Sequence, residues 1–114
     1  MRKTLAPREN PFIKYVEDKC KEAELDLRKS KIKEGNSVSD TTLFLVVFEN
    51  INEFMTFFVD VKKSIIQFPV TTARKFGKNF PQKIKLTIRN INKIVEIFSE
   101  WKAIKTYDDS IFEK

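Results

Sequence analysis

Histidine is absent from this 114-residue chain, which also holds one cysteine and two glycines. The missing imidazole removes the commonest general base and the commonest transition-metal ligand. A single thiol, Cys20, makes neither an internal disulfide nor a thiolate zinc site, and it has no resolving partner for dithiol redox work. Gly35 and Gly77 lie too far apart for a phosphate loop or a dinucleotide fingerprint. Carboxylates remain. Glu49, Glu53 and Asp60, and again Glu96 and Glu100, recur at helical spacing, yet they fall on polar arcs and read as solvated faces. The sequence therefore predicts a non-enzymatic protein without metal or cofactor.

Other scarcities bound the fold. Four prolines and two glycines supply few turns, which disfavours a sandwich or barrel and favours long helices. No long uncharged apolar run exists. The most apolar window, 43 to 61, contains Glu49, Glu53 and Asp60, each costing about 2.5–3.5 kcal/mol at mid-bilayer, so no transmembrane segment is expected. The start "MRKTLAPREN" is basic but lacks the apolar stretch of a signal peptide and reads as an N-terminal arm, 1–10. A cytoplasmic or otherwise intracellular setting follows. With 41% apolar and 33% charged residues, the rest reads as one globular domain.

What is present reads as helix. Asn10 followed by Pro11 is an N-cap with proline at the first helical position. Ile13, Val16, Cys20, Ala23 and Leu27 then recur three and four apart, flanked by the pairs Glu17–Lys21 and Glu24–Arg28, with Gly35-Asn36 as the stop. Cys20 falls on that seam as a packed thiol. A second helix runs from "SVSD" to Phe68, before Pro69. At 100° per residue Phe44, Phe48, Ile51, Phe54, Met55, Phe58, Val61, Ile65 and Ile66 gather on one side of it. A connector of one or two turns, capped by Thr71 or Thr72 and ended by Gly77, leads to a third helix from Pro81. That helix has the ridge Ile84, Ile88, Ile91, Val95 and Phe98. The expected fold is all-α: an antiparallel bundle of three long helices over 11–105, with a tail at 106–114. Leu25, Ile32, Leu45, Val46 and Ile104 are left over, an excess that points to self-association or a protein partner.

Between Asp60 and Glu96 there is no acidic residue. Arg74, Lys75, Lys78, Lys83, Lys85, Arg89 and Lys93 concentrate the net charge of +6 in the connector and the first half of the third helix. Lys85, Arg89 and Lys93 fall about one turn apart on one helical face. Such a surface suits an anionic partner: an acidic protein, a nucleic acid whose binding weakens with salt, or an anionic membrane surface. A solvated helix face is the alternative. Phe76 and Phe80 sit among the charges as candidates for stacking on unpaired bases, although Phe80 also projects towards the core. Ala73 and Gly77 have the spacing of a helix-turn-helix, but Pro81 and the length of the next helix argue against it. The expected function is an interaction protein, acting as subunit, adaptor or inhibitor, that meets an anionic partner through 74–93.

Overall fold

Residues 10–34, 37–48, 53–103 and 105–114 are described by the structure, a computed structural model. The first helix begins where the sequence places it. Asn10 Oδ1 accepts from Phe12 N at 2.8 Å, Pro11 takes the first turn, and α1 (Pro11–Glu22) buries Ile13, Val16 and Cys20. It ends earlier than the seam predicts. Glu24 turns left-handed at φ 59° and Leu25 N reaches back to Cys20 O at 2.9 Å. From there apolar residues alternate with polar ones, Leu25 and Leu27 among Glu24, Asp26 and Arg28. The chain runs on as a strand, β1 (Asp26–Glu34). The predicted i,i+4 partners are exchanged accordingly. Glu17 pairs with Lys29 across the helix–strand contact, and Arg28 with Asp26. The predicted stop at Gly35-Asn36 lies outside the described residues.

The second helix does not form, and with it the all-α bundle is overturned. Its sequence makes β2 (Ser37–Val47), β3 (Phe54–Asp60) and β4 (Ile65–Gln67). With β1 and β5 (Lys83–Lys85) they build a five-stranded antiparallel sheet in the order β1-β2-β3-β4-β5, which with three short helices gives an α/β fold. Period two is plain once the partners are aligned. Thr42, Phe44 and Val46 lie opposite Val59, Phe57 and Met55, and all six are at most 5% exposed. Phe44 stacks on Phe57 at 5.2 Å between ring centroids. The β-branched and aromatic composition of this stretch suits a pleated surface better than a helix. Thr42 Oγ1 is buried on this face with no hydrogen-bond partner among the described residues.

Pro69 does stop an element, but as the residue preceding a helix. The connector forms α2 (Val70–Phe76), without a side-chain cap. Neither threonine serves as the predicted cap; Thr72 Oγ1 accepts instead from Thr56 N at 3.2 Å, and Lys75 Nζ donates to Phe54 O at 3.2 Å. α2 thereby covers the part of β3 that short β4 leaves unpaired, which blunts an open strand edge. The third helix is likewise divided. Ile84 is buried in β5, and α3 (Ile88–Ser99) starts only at Thr87, whose hydroxyl accepts from Asn90 N at 3.1 Å. Of the predicted ridge, Ile91 and Phe98 are buried on α3, with Ile94 and Ile97 beside them, whereas Val95 is half-buried and Ile88 is 43% exposed.

α1 and α3 lie together on the inward face of the sheet, where Phe98 meets Phe57 edge-on at 5.6 Å. The tail is no appendage. A single 3₁₀ turn, Asp109–Ile111, delivers Phe112 into the core against Phe68 and Phe80. Asn90, 1% exposed, locks that segment in place. Its amide donates to Lys85 O and Glu113 O, and its Oδ1 accepts from Glu113 N. No helix among the described residues is long and apolar enough to cross a membrane.

Candidate interaction surface

The basic stretch that reads as one helical face is divided among four elements. Arg74 and Lys75 are on α2, Lys78 in the turn after it, Lys83 and Lys85 on β5, and Arg89 and Lys93 on α3. Lys85, Arg89 and Lys93 therefore do not form a row. Lys83 and Lys85 flank buried Ile84, so they project from the face of the sheet opposite the helices, where strand alternation sends them. Arg89 lies 4.0 Å from Glu113, and Lys93 pairs with Glu96. Arg74, Lys75, Lys78, Lys83 and Lys85 have no carboxylate partner among the described residues.

The aromatic rings within the stretch are not available to a ligand. Phe76 is 4% and Phe80 6% exposed, and Phe76 stacks on Phe98 at 5.4 Å. The helix-turn-helix spacing of Ala73 and Gly77 leads into β5 rather than a second helix.

What sequence reasoning missed is the outward face of the sheet. An antiparallel sheet covered on one side alternates apolar-in and polar-out. Here the second face is also apolar. Leu43 pairs with Phe58, Leu45 with Thr56, and Val47 with Phe54, all pointing away from the helices. Ile65, opposite Asp60, adds to them. None of these six apolar side chains belongs to the core or packs against it, and Phe54 is 48% exposed. Along one flank the rows end in charge. The row Leu43, Phe58, Gln67 reaches Lys83, and the row Asp60, Ile65 reaches Lys85. Lys75 stands at the Phe54 end, held by the carbonyl of that residue. On the other flank β1 presents Asp26, paired with Arg28 at 3.5 Å, and Ser30. The strip is thus apolar through its middle and positive on its β5 and α2 side.

The signal for this face was present in the sequence as the leftover apolar residues, of which Leu45 is a member while Val46 proves to be core. Cys20 is 2% exposed, and burial pushes its thiol pKa up to about 12, which keeps it protonated and unreactive. Among the described residues no group of three His, Cys, Asp or Glu side chains converges as a metal site does.

No family model matches the chain, and no curated protein or solved structure matches it either.

Proposed function

We propose that this protein is a non-enzymatic interaction module whose open sheet face receives an acidic, amphipathic segment of a partner protein. The supporting observation is the strip of Leu43, Leu45, Val47, Phe54 and Phe58 outside the core, bordered by Lys75, Lys83 and Lys85, which have no carboxylate partner among the described residues. An apolar strip of this kind gains free energy by leaving water, and the flanking lysines select the sign of charge beside it. Protein is favoured over nucleic acid by the side-chain types. Leu43, Leu45, Val47 and Ile65 offer no ring for base stacking, the rings of Phe76 and Phe80 are buried, and Phe54 and Phe58 are the two rings of the strip, within a mainly aliphatic surface.

The test is a titration of isotope-labelled protein with an amphipathic peptide of leucine and glutamate, its lysine counterpart, and a single-stranded oligonucleotide. The acidic peptide is expected to shift the amide signals of β2, β3 and β5, and to bind more weakly as salt is added. Replacing Lys83 and Lys85 together by glutamate should weaken it by roughly tenfold. Equal binding of the lysine peptide, or signal changes confined to α1 and α3, contradicts the proposal. Preferential binding of the oligonucleotide would replace it with a nucleic-acid function.

A further inference from the structure

At the Phe54 end of the open face the structure holds a cavity of about 300 Å³, between the C-terminal ends of α2 and α3 and the strand ends at Phe48 and Phe54. Its walls are rings. Phe48 and Trp101 lie 4.6 Å apart between centroids, Tyr107 closes another side, and Met55 forms part of the lining from the core. Phe54 belongs to both the cavity and the apolar strip, so the two are continuous. Four charged side chains border it. Glu100 and Lys105 pair with each other, which leaves Lys75 and Glu53 without an ionic partner among the described residues.

We infer that this cavity is an anchor site for one aromatic side chain carried on the acidic partner segment. The inference rests on the proposed use of the open face and names the feature of the partner that gives specificity. The volume is at the small end for a ligand pocket and suits one ring rather than a cofactor. The aromatic walls favour an aromatic guest, in tilted or edge-on contact, over a branched aliphatic one. The two unpaired charges favour a ring that arrives on a peptide. A peptide backbone offers an N–H, which the Glu53 carboxylate accepts, and a C=O, which the Lys75 ammonium donates to. An acidic residue next in the chain meets Lys75 as well. A buried aromatic anchor beside a shallow apolar strip is how binding energy concentrates at protein interfaces.

Trp101 is the only tryptophan of the chain and lines the cavity, so one indole N–H signal reports on its occupancy. Two peptides of leucine and glutamate, one with a central phenylalanine and one with alanine in its place, are titrated into isotope-labelled protein. The phenylalanine peptide is expected to bind at least roughly tenfold more tightly and to move the Trp101 signal, which the alanine peptide leaves in place. In the variant Ala103→Phe, which fills the cavity from an exposed position, the two peptides should bind alike. Equal affinities in the parent protein, or an unmoved Trp101 signal, overturn the anchor. If both peptides then still shift Leu43 and Phe58, the open-face reading stands without it. If neither shifts them, that reading fails too.

Discussion

Phe57→Ala is expected to destabilise the protein by about 3–5 kcal/mol, whereas Phe58→Ala, one residue on, should cost less than about 1.5 kcal/mol. Phe57 is 1% exposed and its ring meets Phe44 at 5.2 Å, Phe98 at 5.6 Å and Phe68 at 6.3 Å. Truncation removes the ring that joins the sheet to α3 and opens a cavity whose walls, built from other large rings, have little means to collapse. Phe58 points to the opposite face and packs against none of the core. Urea unfolding of the two variants measures the contrast. Similar losses, or a larger loss at position 58, would mean that the stretch does not alternate. On the helical reading Phe58 is a core residue and Phe57 is not, so the pair decides between the two folds.

The second large effect is at Gly77. Its backbone sits at φ 146° and ψ 158°, a region essentially reserved for glycine. A Cβ built there would lie 2.6 Å from Tyr107 O and 3.2 Å from Tyr107 N. The neighbour is backbone and cannot swing aside. It is held there because Tyr107 N donates to Phe76 O at 2.7 Å, where the returning C-terminal chain crosses the end of α2. Gly77→Ala therefore combines backbone strain with a steric overlap, and a loss of about 3 kcal/mol or more is expected. The midpoint of urea unfolding should fall with little change in slope. A variant within about 0.5 kcal/mol of the parent would show that the tail does not cross here.

These two positions also mark the limits of the sequence reading. Gly77 was legible as the end of a short helix, and the Asn10-Pro11 start, the seam of Ile13, Val16 and Cys20, and the ridge from Ile91 to Phe98 lie where local pattern puts them. Each is a helical feature with one apolar side. The stretch from Leu43 to Val59 resisted because both of its faces are apolar. Leu43, Leu45 and Val47 alternate with Phe44 and Val46, so period two leaves no polar gap, and scattered acids complete a false helical arc. Two local cues did favour strands: the concentration of valine and phenylalanine, and the alternation Lys83, Ile84, Lys85. The Gly-Asn dipeptide at 35–36 is a hairpin signal as readily as a helix stop.

The basic residues were legible as a group but not as a surface. Which of them keep a free charge depends on partners far along the chain, such as Glu113 beside Arg89, and on strand alternation that turns Lys83 and Lys85 outward. The apolar strip beside them follows from register, which no local window contains.

Residues 43 to 46 alternate between a sealed interior and an open face. Single cysteines placed at Leu43, Phe44, Leu45 and Val46 test it by the rate of thiol labelling in native buffer. Cys20, 2% exposed with its thiol pKa pushed up to about 12, leaves the background silent. Fast labelling is expected at 43 and 45, and labelling at 44 and 46 only on unfolding. Protection at 43 and 45 equal to that at 44 and 46 would contradict it.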